Sequence, residues 1–185
     1  MVYLRLWTID MSLLSSVLFS VKDFTHWHTE ASFNISSDVF ITKFKSNLTG
    51  LRVVLTKTGS PIVHLYICLA TDANTDEGLP HALEHLIFLG SEKYPYKAVL
   101  DILANRLLAS RANAWTDDDH TCYTLSTAGL SGFTSMLPVY LDHILYPLLR
   151  PEAFATEVHH INQEGKDAGV VYSEMKVKLS KLFNP

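Results

Sequence analysis

Leu79-Pro80-His81-Ala82-Leu83-Glu84-His85-Leu86-Ile87-Phe88-Leu89-Gly90 carries the marks of a short helix. Proline sits where a first helical residue belongs, because its missing N–H has no intrahelical partner there, and glycine sits just past the last apolar residue. Leu83, Ile87 and Phe88 give the helix an apolar side. The spacing predicts a helix over residues 80–89. Just upstream, Ile62–Ala70 is nearly all apolar and bounded by polar residues, which predicts a central strand covered on both faces. Strands giving way to helices in this manner point to an α+β class, a sheet covered by helices.

Outward from this pair the periods keep alternating. Residues 39–45 mix β-formers with partial alternation, and Leu51, Val53 and Leu55 alternate with Arg52 and Thr56. Asn47-Leu48-Thr49-Gly50 between them supplies turn chemistry, so a hairpin is expected. Thr58-Gly59-Ser60-Pro61 is a second turn. Downstream, residues 97–109 read as a helix rich in Leu and Ala, and residues 120–127 as a strand. Phe133, Met136, Leu137, Tyr140, Leu141, Ile144, Leu145 and Leu148 recur at helical spacing despite Pro138. Residues 176–182 still read as helix, and the sequence stops at Asn184-Pro185 without a closing element, so the fold is expected to be incomplete at its C-terminus.

The chain has 185 residues, 48% hydrophobic and 18% charged, with a formal net charge of −4. That composition builds one real core and excludes disorder, collagen-like repeats and a disulfide scaffold. Cys68 and Cys122 are read as reduced core or strand residues. With 15 Lys and Arg against 19 Asp and Glu, no basic surface invites nucleic acid. The apolar run at residues 11–21 is too short for a membrane helix, which needs about 20 residues, so no membrane span is expected. It lacks a secretory cleavage site, and Asp10 and Asp23 spoil a mitochondrial presequence. Cytoplasmic placement is the expectation, with mitochondrial and secreted placement as alternatives. Asn34-Ile35-Ser36 and Asn47-Leu48-Thr49 would be glycosylation sites only in a secreted chain. Residues 1–35 read as a lead segment and residues 36–185 as one partial domain.

Nine histidines are the unusual entry in the composition. His81 and His85 stand four apart on the first helix, which brings both side chains to one face a turn apart. That spacing lets two imidazoles reach one zinc ion at about 2.0–2.1 Å. With Glu84 they spell H-x-x-E-H, the inverted zinc-peptidase motif. The alternative reading is a pair of solvated histidines on a helix face. A catalytic zinc site typically needs a third protein ligand, and Gly169-Val170-Val171-Tyr172-Ser173-Glu174-Met175-Lys176 supplies a carboxylate after an apolar stretch.

This combination resembles the pitrilysin family of metallopeptidases, which includes insulin-degrading enzyme. The 88 residues between His85 and Glu174, and the wording of residues 169–176, are most similar to its presequence-protease branch. The likeness runs from about residue 39 to the end and includes Leu79–Gly90 and Asn113-Ala114-Trp115-Thr116. It implies a LuxS- and processing-peptidase-like metallohydrolase domain, the amino-terminal catalytic one. It further implies Zn2+ as cofactor, His81, His85 and Glu174 as its ligands, and Glu84 as general base. Peptide substrates would add as a strand at Asn113 and Ala114, with Trp115 more a buried structural residue than a contact. Asp167, seven residues before Glu174, falls where many relatives carry another acidic residue supporting the site; Asp in place of Glu shortens its reach, and a solvated turn aspartate is the alternative.

Relatives of this kind are much longer, so the chain is expected to need the absent downstream domains. The function expected is zinc-dependent metalloendopeptidase action. The alternative is a truncated, catalytically incompetent fragment that binds zinc or a partner. Other polar clusters rank lower: Asp117-Asp118-Asp119-His120 reads as a turn before a strand, and His159-His160 and His26-Trp27-His28 as surface or packing histidines. Arg52, Arg106 and Arg111 show no phosphate-binding context.

Overall fold

The computed structural model describes residues 2–7, 24–73 and 77–183. In chain order the elements are β1 (Val2–Trp7), β2 (Trp27–Ser36), β3 (Val39–Ser46), β4 (Arg52–Lys57) and β5 (Ile62–Ala70), then α1 (Leu79–Ile87) and α2 (Val99–Arg106). There follow β6 (Asn113–Thr116), β7 (His120–Ala128), α3 (Leu130–Leu145), α4 (Pro151–Val158), β8 (His160–Ile161), β9 (Asp167–Ala168) and α5 (Val170–Phe183). They form two compact units, Met1–Asp72 with Leu100–Tyr140, and Ala73–Val99 with Leu141–Pro185.

The first unit is a seven-stranded sheet in the order β2-β3-β4-β1-β5-β7-β6. The expected hairpin forms: β3 and β4 pair antiparallel, with Ile41 opposite Thr56 and Phe44 opposite Val53. Its turn is fastened by Ser46, whose Oγ accepts the amides of Leu48 and Thr49 at 3.3 and 3.2 Å. Gly50 there takes a φ of 72°, open to glycine without a Cβ penalty. β5 and β7 pair antiparallel over their whole lengths, from Ile62 opposite Ala128 to Ala70 opposite His120.

Among the described residues, coverage of β5 on both faces, expected from its composition, does not form. Val63, Leu65 and Ile67 are buried, and so are Thr121, Tyr123, Leu125 and Thr127 of β7. His64, Tyr66 and Cys68 on the opposite face are only half-buried. His64 and Tyr66 give the run a two-residue period, the mark of a half-solvated strand. His64 Nδ1 meets Ser126 Oγ at 2.7 Å on that face.

On α3, Phe133, Met136, Leu137 and Tyr140 are 1% exposed or less. Tyr140 donates its hydroxyl to the Thr124 carbonyl at 2.8 Å, tying this helix to β7, and burial pushes the phenol pKa up. Pro138 lies inside α3 without ending it. Its cost of about 3 kcal/mol is outweighed by this row, since each fully buried side chain contributes about 1.5–3 kcal/mol. α2 is shorter than expected, because Ala98 and Leu108 turn to positive φ, 67° and 51°, on either side of it.

The lead segment set at residues 1–35 supplies two strands that no period in the sequence announced. β1 lies between β4 and β5, parallel to the first and antiparallel to the second. β2 pairs with β3 at the sheet edge, with register shifts between Thr29 and Ala31 and between Asn34 and Ser36, which breaks up its alternation. The run at residues 11–21 lies outside the described residues. Among those described, no helix is long and apolar enough to cross a membrane.

The second unit holds α1, the end of α3, α4, the small β8–β9 hairpin and α5. Within it α1 packs on α4 and α5, and α4 packs on α5. The buried carboxylate of Asp142 accepts the Lys93 amide at 3.2 Å, and His143 stacks on Tyr94 at 6.2 Å between ring centroids. These contacts hold the loop that follows α1. Gly169 sets the start of α5 with a φ of 135°; a Cβ there would sit 2.5 Å from the Val158 carbonyl oxygen.

Candidate metal centre

α1 begins at Gly78, in the left-handed conformation at φ 71°, and the Ala82 amide donates to the Gly78 carbonyl at 3.0 Å. Ala82, Leu86 and Ile87 are buried, which fixes the rotation of the helix. His81 and His85 then share the neighbouring face, with side chains 16% and 18% exposed. Their rings meet edge to face, 5.0 Å between centroids and 68° between planes, so that both Nε2 atoms turn the same way. α5 brings Glu174 to them.

The distances are close to one another. His81 Nε2 lies 3.1 Å from Glu174 Oε2, His85 Nε2 lies 3.4 Å from the same oxygen, and the two Nε2 atoms are 3.3 Å apart. Neutral imidazole offers a lone pair at one nitrogen, and a carboxylate only accepts. One proton on either ring could serve two of these three contacts, whereas a cation among them serves all three. Zinc bonds of about 2.0–2.2 Å in a tetrahedron place donor atoms about 3.3–3.6 Å apart. The donor set fits such an ion in type and number, and the separations of 3.3 and 3.4 Å fall in that range while the 3.1 Å one is slightly shorter. Among the described residues these three are the group of His, Cys, Asp and Glu that converges in this way.

Glu84 is 9% exposed on α1, between the two histidines in sequence. Asp167 is engaged elsewhere: its Oδ1 accepts from His159 Nε2 at 2.8 Å, and the Tyr172 hydroxyl reaches Oδ2 at 3.5 Å. The His159 hydrogen bond is the main reason its carboxyl is held below the usual range. His159 and Tyr172 also touch ring to ring, 5.2 Å between centroids. Sequence reasoning missed this trio, since His159 was read as a surface or packing residue. Its partner lies across the β8–β9 hairpin, and two-residue strands leave no periodic signal.

In the other unit, Asn113 and Ala114 lie in β6 opposite Thr124 and Tyr123 of β7. Among the described residues, β6 is the last strand of its sheet, with a neighbour on one side only. Trp115 is not the buried structural residue expected. It is 40% exposed, because it falls on the half-solvated face, edge-on to Tyr66 at 6.4 Å. Asp117–His120 form the turn expected there: the Asp117 amide donates to the His120 carbonyl at 2.8 Å, and His120 Nδ1 meets Asp119 Oδ1 at 2.6 Å.

Comparison with known proteins gives a consistent picture. Residues 56–178 match the family model described as Insulinase (Peptidase family M16). An uncharacterized protein of Caenorhabditis elegans is 55% identical over 154 residues, covering 83% of this chain and 15% of the relative. A mitochondrial presequence protease of Gibberella zeae is 35% identical over 153 residues, covering 72% of this chain and 15% of the relative. Among solved structures, pitrilysin shares the fold with a TM-score of 0.58 at 22% identity, over 69% of this chain and 14% of pitrilysin. The chain therefore spans about 15% of the length of the curated relatives it matches.

Proposed function

This chain belongs to the insulinase family, peptidase family M16, and from that membership we propose that it is the metal-binding core of a zinc-dependent metalloendopeptidase. The observation that carries the reading is the meeting of His81 Nε2, His85 Nε2 and Glu174 Oε2 within 3.1–3.4 Å of one another. These three would hold the ion. When bound, zinc supplies Lewis acidity and a water that ionises near neutral pH.

The chain's own residues supply the rest. His81 and His85 are held by the buried side of α1, and Glu174 adds one negative charge to two neutral donors. Glu84 is the proposed general base. Its carboxylate accepts a proton from the attacking water and returns it to the amine nitrogen that leaves. Asn113 and Ala114 are proposed to receive peptide as an added strand, because the outer edge of β6 has no strand beside it among the described residues. Backbone pairing of that kind accepts many sequences. Asp167 would support the site through Tyr172, two residues before Glu174 on α5.

A second reading, a fragment that binds zinc or a partner and hydrolyses nothing, draws on the coverage of about 15% of each relative. A fluorogenic-peptide assay separates the two. Chelator-sensitive turnover abolished by Glu84→Gln supports the peptidase. Stoichiometric zinc without turnover supports the fragment. Zinc content unchanged in both His81→Ala and His85→Ala overturns the site itself. For the compartment, the matched presequence proteases are mitochondrial, which is compatible with the mitochondrial alternative.

A further inference from the structure

Cys68 and Cys122 lie on β5 and β7, in the first unit. They are direct cross-strand partners, both are free thiols, and their Sγ atoms lie 2.8 Å apart. We propose that they are a redox modification site, a cross-strand disulfide formed reversibly when a peroxide oxidises the pair.

The backbone already meets the demand of the bond. Residues directly opposite in an antiparallel pair have Cα atoms about 4.5–5.5 Å apart, inside the roughly 4.4–6.8 Å that a disulfide requires. No strand has to move. Access is unequal: Cys122 is 0% exposed, while Cys68 is half-buried on the partly solvated face of the sheet. Burial also pushes the Cys122 thiol up, which keeps it protonated. Cys68 is therefore the sulfur that meets the oxidant, and Cys122 the one that resolves it.

The Cys68 thiolate attacks one oxygen of hydrogen peroxide. The O–O bond breaks, and the departing hydroxide takes a proton to become water, leaving a sulfenic acid on Cys68. The Cys122 sulfur then displaces the hydroxyl from Cys68, and its own proton leaves with that hydroxyl as a second water. Two thiols are oxidised by two electrons, and one peroxide is reduced to two waters. The new bond closes the chain between residues 68 and 122, the excursion that carries α1. A cross-link of that length restricts the unfolded chain and raises stability.

The test is peroxide treatment of the purified chain, alkylation of the remaining thiols in denaturant, and digestion. Both thiols should be lost together, giving one linked peptide pair lighter by two hydrogens, and a dithiol reductant should restore both. The thermal midpoint should rise on oxidation and fall back on reduction. In Cys68→Ser, a mild change at a half-buried position, Cys122 should keep its thiol at the same peroxide dose and the midpoint should not respond. Cys68 advancing to sulfinic acid beside an alkylatable Cys122, or a disulfide linking two chains instead of two strands, would overturn the proposal.

Discussion

Three potential ligand atoms within 3.1–3.4 Å of one another underlie the different duties proposed for the carboxylates around them. On the proposed reading, Glu174 would contribute charge to the ion, whereas Glu84 would contribute a place for a proton. Glu84→Gln should keep zinc by elemental analysis and lose about 10²–10⁴-fold in turnover, the usual worth of a positioned acid–base group. Glu174→Gln should weaken zinc binding itself, by at least the roughly 10–100-fold typical of altering even outer-shell partners; the opposite pattern would exchange the two roles. Asp167 makes a pH prediction. His159 holds its folded pKa below the unfolded value of about 3.9, so its contribution is present above that range and fades as pH falls through the folded value. In chelator, the urea midpoint of the wild type should therefore drop more between about pH 6 and pH 3 than that of Asp167→Asn, a small difference because both partners are largely exposed. Equal drops would mean the pair is energetically silent. The histidines were legible because a four-residue step maps onto one helix face. Glu174 was legible only through resemblance, since nothing local ties a carboxylate to a motif 88 residues away.

Elements whose burial has one period were readable in sequence, and elements made by pairing were not. β7 and α3 follow the hydrophobic pattern of their own residues, the β3–β4 hairpin follows its turn, and β5 was readable as a strand though its one-sided burial was not. β1 and β2 depend on partners elsewhere in the chain, and the β8–β9 hairpin is too short to show any pattern. α5 packs on α1 and α4 and starts from one demanding backbone point. At Gly169 the φ of 135° and the Val158 carbonyl, which would stand 2.5 Å from an added Cβ, together exclude a side chain. Gly169→Ala should destabilise by about 1–3 kcal/mol or more, the cost of a strained backbone position. It should also displace the helix that carries Glu174, so zinc affinity should fall along with the urea midpoint. Retained affinity with a lowered midpoint would show that α5 seats itself independently of its first turn.

Taken whole, the chain would couple its stability to the proposed metal. His81 and His85 lie in one stretch of the second unit and Glu174 in another, Ala73–Val99 and Leu141–Pro185. An unfolded chain holds these groups far apart, so an ion that needs all three binds the native state alone. Free zinc at about 100 times its dissociation constant then adds about 2.7 kcal/mol. For a domain of this size each kcal/mol moves the thermal midpoint by about 2–4 °C, which predicts a rise of about 5–11 °C. The rise should vanish with chelator and in His81→Ala, His85→Ala and Glu174→Ala alike, because any two donors left behind make a much weaker site. Asp119→Ala, in the β6–β7 turn of the other unit, should leave the zinc-induced rise intact. A rise of the same size in all three ligand variants would show that zinc stabilises the molecule elsewhere, and the metal centre would lose its physical basis.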